Sequence, residues 1–219
     1  MRTILTFITL LLLADSSLAQ PEYAKLRPSS DYWDRDAKRV PVKISRASQN
    51  RKLAAVGDTL YMLDERGQVV WTWSAGGPPL TDLPVIDSKG TIYVIGYDLL
   101  WAALDSATGK EKWRGTANGR ALYSQIKLYK GDMYLVVTDM EGYRENAFPG
   151  EVIKDTLTLC RGNSILWEAE IPAGASIQVR GDKVFVVTKR RNLVVRREVA
   201  IPPHFDKPIG KVSALADYN

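Results

Sequence analysis

From Val40 onward the apolar residues come in short runs rich in β-branched and aromatic types, each closed off by Gly, Asp, Asn or Pro. That grain predicts strands joined by tight turns. No apolar stripe of helical period and helix length runs through this part of the chain. One phrase recurs four times, a glycine turn followed by a β-rich run. The copies begin at Gly57-Asp58-Thr59-Leu60-Tyr61, Gly90-Thr91-Ile92-Tyr93-Val94, Gly131-Asp132-Met133-Tyr134-Leu135 and Gly181-Asp182-Lys183-Val184-Phe185. Successive glycines are 33, 41 and 50 residues apart. The longest interval holds Asp139 to Gly150, a polar stretch with Gly142, Asn146 and Pro149 that reads as an inserted loop.

A second phrase follows the first, a tight turn leading into a strand with tryptophan. It runs Asp64-Glu65-Arg66-Gly67-Gln68-Val69-Val70-Trp71, then Asp105-Ser106-Ala107-Thr108-Gly109-Lys110-Glu111-Lys112-Trp113, then Arg161-Gly162-Asn163-Ser164-Ile165-Leu166-Trp167. A fourth copy, Lys189 to Val195, is expected to keep the hairpin without the tryptophan. Gly67, Gly109 and Gly162 can take the positive φ of a hairpin turn without steric cost. Asp64, Asp105 and Thr108 can bond the turn's own backbone. Trp71, Trp113 and Trp167 stand at one place in each unit and are expected to fill the seam between neighbouring sheets. A period of about 40–50 residues belongs to propeller blades, and a mature chain of about 200 residues holds four or five of them. The fold class expected is therefore all-β, a β-propeller or partial propeller with about four to five four-stranded antiparallel blades.

The first residues read as a targeting segment. Met1-Arg2-Thr3 gives a positive start, Ile4 to Leu13 an apolar run, and Ser17-Leu18-Ala19 a signal-peptidase site. The run is too short to span a bilayer, which needs about 20 apolar residues. Cleavage is expected near Ala19-Gln20, and Gln20 stands where a lipoprotein would need cysteine. The expected organisation is a signal peptide over 1–19, a leader over 20–39, blades over 40–201 and a C-terminal tail or closing segment over 202–219. Export to the periplasm or outside the cell follows. Four or five blades must close or leave bare edges, so three outcomes are open: a small closed ring, an open half-ring that pairs with another chain, or a fragment. Val40-Pro41-Val42-Lys43-Ile44 is a candidate closing strand for the last blade.

Composition narrows the chemistry. A net charge of +5 over 219 residues is mildly basic and gives no nucleic-acid signature. Cys160 is the only cysteine and His204 the only histidine, which excludes an internal disulfide and sites built on several thiolates or imidazoles. Cys160 reads as a packed small hydrophobe and His204 as a tail residue. No nucleophile elbow, phosphate-binding glycine loop, dinucleotide fingerprint or EF-hand is present. No catalytic, cofactor-binding or metal-binding residue is assigned, and no enzyme activity is expected. Arg190, Arg191, Arg196 and Arg197 form the densest charge cluster with Lys189. They are read as edge protection, with contact to an acidic partner as the functional alternative. Tyr97 and Trp101 are read as blade packing, with a peptide groove as the alternative.

Leu99 to Arg114, with Ala103-Leu104-Asp105, Thr108-Gly109-Lys110 and Trp113, resembles the repeat of the pyrroloquinoline-quinone-type propellers. The likeness extends over about residues 55–199 and is sharpest in the second unit. The family includes a periplasmic scaffold of the outer-membrane β-barrel assembly machinery and quinone-dependent alcohol dehydrogenases. The resemblance implies a propeller, and the non-enzymatic branch is favoured: one cysteine cannot supply the adjacent-cysteine disulfide of the enzymes. The function expected is protein binding or scaffolding in the envelope or outside the cell, with no cofactor. The partner would be a protein, or a second copy closing the ring. The alternative is a partial or degenerate quinoprotein dehydrogenase.

Overall fold

A computed structural model describes residues 42–48, 50–77, 79–97, 100–116, 123–138, 154–190, 193–205 and 207–212. The signal peptide, the leader and the polar insertion lie outside them. Among the described residues every element is a strand and every strand pair is antiparallel. The first sheet is β1 (Val42–Ser48), β2 (Arg51–Val56), β3 (Thr59–Leu63) and β4 (Val69–Ser74), in that order. The second is β5 (Val85–Ile86), β6 (Thr91–Ile95), β7 (Trp101–Asp105) and β8 (Glu111–Gly115). The third is β9 (Tyr123–Leu128), β10 (Met133–Thr138), β11 (Lys154–Arg161) and β12 (Ser164–Pro172). The fourth has only three strands, β13 (Ser176–Arg180), β14 (Lys183–Arg190) and β15 (Leu193–Val199). A last strand, β16 (Gly210–Lys211), adds to the outer edge of β12 and makes the third sheet five-stranded.

Alternation along each strand sends side chains to opposite faces, and here both faces are used. On β6, Ile92 and Val94 pack with Leu53, Leu60, Met62 and Trp73 of the first sheet. Tyr93 and Ile95, which alternate with them along the strand, pack with Ile126, Tyr134, Val136 and Cys160 of the third. On β10 and β11, Leu135, Val137, Leu157 and Leu159 point the other way, onto Ile177, Val184 and Val186 of the fourth. Three apolar seams thus join four sheets in chain order, which is the stacking of propeller blades.

A β-bulge precedes each seam tryptophan. Leu63 pairs with Val69 but Met62 with Trp71, so Val70 is the extra residue. Lys112 is skipped between Leu104–Glu111 and Ala103–Trp113, and Leu166 between Cys160–Ile165 and Leu159–Trp167. Without the extra residue each tryptophan would fall on the opposite face of its sheet. The bulge turns it towards the next sheet.

The structure corrects the sequence reading in three places. Gly57 joins β2 to β3, the second and third strands of its sheet, whereas Gly90, Gly131 and Gly181 each join a first strand to a second. The first copy was therefore displaced by one strand, which accounts for its short spacing. The fourth hairpin is displaced likewise. Lys189 to Val195 belongs to the link between β14 and β15, a second and a third strand, so its want of tryptophan marks a different hairpin. The candidate closing strand does not join the last blade: its described part, β1 from Val42, pairs with β2. Among the described residues no core cluster joins the fourth sheet to the first.

Candidate functional site

The turns use their polar residues locally. Asp64 Oδ1 accepts from the N–H groups of Arg66 and Gln68 at 2.9 and 2.8 Å, and Gly67 follows with φ +82°. Asp105 Oδ1 accepts from Ala107 N, Thr108 N and the Thr108 hydroxyl at 3.1, 3.0 and 2.9 Å. The hydroxyl bond, with the turn's N–H groups, holds the Asp105 carboxyl below the usual carboxylate range. Asp87 makes an equivalent turn that the sequence reading passed over, bonding Lys89 N, Thr91 N and the Tyr93 hydroxyl.

The three tryptophans lie half-buried, one at each seam. Trp71 reaches the next sheet's turn: its indole N–H donates to Ser106 O at 3.1 Å. A Cβ on Gly109 would stand 2.6 Å from the Trp71 ring, so Gly109 serves the turn and the docking together. Gly162 is free of such contact and answers only to its φ of +56°. Trp113 leans on Tyr93 with ring centroids 6.3 Å apart. Trp73, which the sequence pattern did not mark, and Trp101, read as blade packing, are more deeply buried than these three. Trp101 meets Tyr134 edge-on in the second seam. That contact removes Trp101 from any surface groove, while Tyr97 is exposed.

Polar ties cross the seams as well. Asp132 accepts from Lys89 of the second sheet at 2.6 Å and from Arg161 at 3.0 Å. The Lys89 bond, with Arg161 beside it, holds the Asp132 carboxyl low. Asp82 accepts from Ile126 N. Gln125 takes both backbone partners offered by the fourth sheet, Ala175 O and Ile177 N. Arg114 caps the first seam: it donates to Ala75 O at 2.7 Å, lies 5.2 Å over Trp73 and pairs with Glu111, which accepts from the Trp73 indole.

Titratable groups in the interior are equally engaged. Tyr134 donates to Gly162 O at 2.6 Å, and burial pushes its phenol up. Cys160 is fully buried beside it, and burial pushes that thiol up too. His204 is exposed. The chain has one cysteine, and among the described residues no three His, Cys, Asp or Glu stand together as a metal site.

The arginine cluster is divided. Arg196 and Arg197 are consecutive on β15 and so face opposite ways. Arg196 lies on the sheet's far face, 5.6 Å over Phe185 and bonded to Gln178 at 2.9 Å. Arg197 faces the third sheet and lines a groove of about 1000 Å³ with Leu193, Val195, Val199, Ile171 and Pro172. Arg190 ends β14, and Arg191 lies outside the described residues.

Residues 56–153 match the family described as outer membrane protein assembly factor BamB. The match runs from the end of β2 through the second sheet and into the third, stopping before β11. No curated protein matches the chain. Among solved structures, the computationally designed Ika4 protein is similar with a TM-score of 0.55 at 12% identity, over 75% of this chain and 95% of that one. At that identity the likeness concerns the fold alone, and the fold it supports is propeller-like. No described helix is long and apolar enough to cross a membrane. The repeat motif, the stacked antiparallel sheets and the match over residues 56–153 agree in supporting a pyrroloquinoline-quinone-like β-propeller.

Proposed function

We propose that this protein is an exported, non-catalytic binding module that recognises another protein in the cell envelope or outside the cell. The observation that carries the reading is how the polar side chains are used. Asp64, Asp87 and Asp105 build turns, while Asp82, Asp132 and Gln125 tie sheet to sheet. What remains, among the described residues, is surface: loops, and an edge of the fourth sheet with which nothing described pairs. Propellers recognise partners through such loops and edges. The matched family, described by its role in outer-membrane protein assembly, supports an envelope setting, as does the apolar segment over residues 4–13.

The partner we infer is a different protein and not a ring-closing copy. The far face of the fourth sheet carries the Lys183–Glu198 pair and the Arg196–Gln178 bond, a polar finish typical of a terminal repeat. Affinity capture from the native envelope should recover one defined protein with the mature chain. Added quinone and calcium should leave absorbance and melting temperature unchanged. Saturable quinone binding with dye-linked alcohol oxidation would overturn the reading.

A further inference from the structure

Four sheets give four outer edges, and three of them are blunted. The outer strands β4, β8 and β12 each carry a bulge, at Val70, Lys112 and Leu166, and β12 is further covered by β16. Bulges twist an edge away from foreign strands. The strand β15 is different. Its register with β14 runs unbroken from Val184–Val199 to Arg190–Leu193. Among the described residues nothing pairs with its other edge. Leu193, Val194 and Val195 are 63%, 61% and 43% exposed along it.

By its hairpins, β15 is a third strand, equivalent to β7 and β11. The place beside it is that of a fourth strand. In the second sheet that fourth strand is β8, whose Glu111 and Arg114 close the first seam over Trp73, Ser74 and Ala75. At the last seam no such strand is described, and the groove opens there, walled by Glu170, Ile171 and Pro172 of β12. Leu193, Val195 and Arg197 line its other side. Lys154 and Glu170 at its mouth pair with each other, and Lys183 pairs with Glu198. Arg197 has no hydrogen-bond or ion-pair partner among the described residues, so the groove presents an uncompensated cation.

We propose that β15 takes an extended segment of the partner protein as the fourth strand of the last sheet, by β-strand addition. This rests on the binding-module reading above. The segment runs antiparallel, as every strand pair here does. Its groove-side residues meet Arg197, then Val195, then Leu193, so it reads acidic, any residue, apolar, any residue, apolar. Cross-strand neighbours on one face interact in this way. A second copy of β15 suits the site poorly, because it brings Arg196 and Arg197 with one carboxylate, Glu198.

The test uses the whole chain and a labelled peptide, Thr-Glu-Thr-Val-Thr-Val-Thr, read by fluorescence anisotropy at low salt. The peptide is expected to bind saturably. Arg197→Glu should weaken it about tenfold, and replacing the peptide's glutamate by lysine should restore affinity to that variant. The melting temperature of Arg197→Glu serves as the folding control, expected to be unchanged. Absence of binding, equal binding of the reversed peptide, or no rescue by the charge exchange would each overturn the proposal. So would a dimer in light scattering that Leu193→Asp dissociates, which would make the occupant a second copy. Capture of the same envelope partner by wild type and by Leu193→Asp/Arg197→Glu would overturn the edge site and leave the binding-module reading standing. Capture of no defined protein by either would end both.

Discussion

The strands β7 and β15 hold the same place in their sheets and live in different surroundings. On β7, Trp101, Ala102, Ala103 and Leu104 are all at most 1% exposed. On β15 every residue but Val199 is exposed. Sequence character follows position: β7 is apolar at successive residues, as a strand covered on both faces must be, while β15 ends in Arg196-Arg197-Glu198. The second sheet has a neighbour on each side and a fourth strand to shield its third. The last sheet has a described neighbour on one side only, and polar pairs finish its far face. Among the described residues the stack is thus held at its seams and open at its end, so stability should concentrate in the middle sheets and recognition at the last.

Truncations at the two matched strands should separate most widely. Leu104→Ala is expected to cost about 2–5 kcal/mol, the range for a fully buried leucine, whereas Val195→Ala should stay within about 0.5 kcal/mol. Urea unfolding of both variants measures this, and similar losses would erase the contrast. Deleting Lys112, the bulged residue, should cost about 3 kcal/mol by turning Trp113 out of its seam, with a matching shift in tryptophan emission. Gly109→Ala and Gly162→Ala both place a Cβ at positive φ, at about 1–2 kcal/mol each. Only Gly109→Ala also displaces Trp71, so it should be the costlier by about 1 kcal/mol or more.

The smallest effect is the one with pH. The folded state holds Asp105 and Asp132 below the ordinary carboxylate value of 3.8. Their contribution is complete above that value and is lost as pH falls through the lower, folded-state values. Melting temperature should therefore decline below about pH 4. Asp132→Asn should flatten part of that decline, and an unchanged slope would show that the tie between the second and third sheets carries none of it.

Much of this architecture was legible in the chain because turns and seams have local signatures. Asp105, Thr108, Gly109 and Trp113 mark one hairpin so fully that strand and turn follow from adjacent residues. The bulges were not legible: Val70, Lys112 and Leu166 share no residue type, and only the pairing with the neighbouring strand reveals the extra residue. The displacement of the Gly57 copy has a similar origin, since a glycine turn looks alike between first and second strands or second and third. The division of Arg196 from Arg197 required knowing that β15 is a strand with different surroundings on its two faces. Gly109 hid a second duty, because its contact with Trp71 comes from another sheet, 38 residues away.

Amide hydrogen exchange on the free, full-length chain compares the two strands most directly. Along β7, whose two edges pair with β6 and β8, all amides should exchange slowly. Along β15, slow amides bonded to β14 should alternate with fast ones facing outwards. Uniform protection along β15 would mean that its outer edge is already filled, and would contradict the account of an open last sheet.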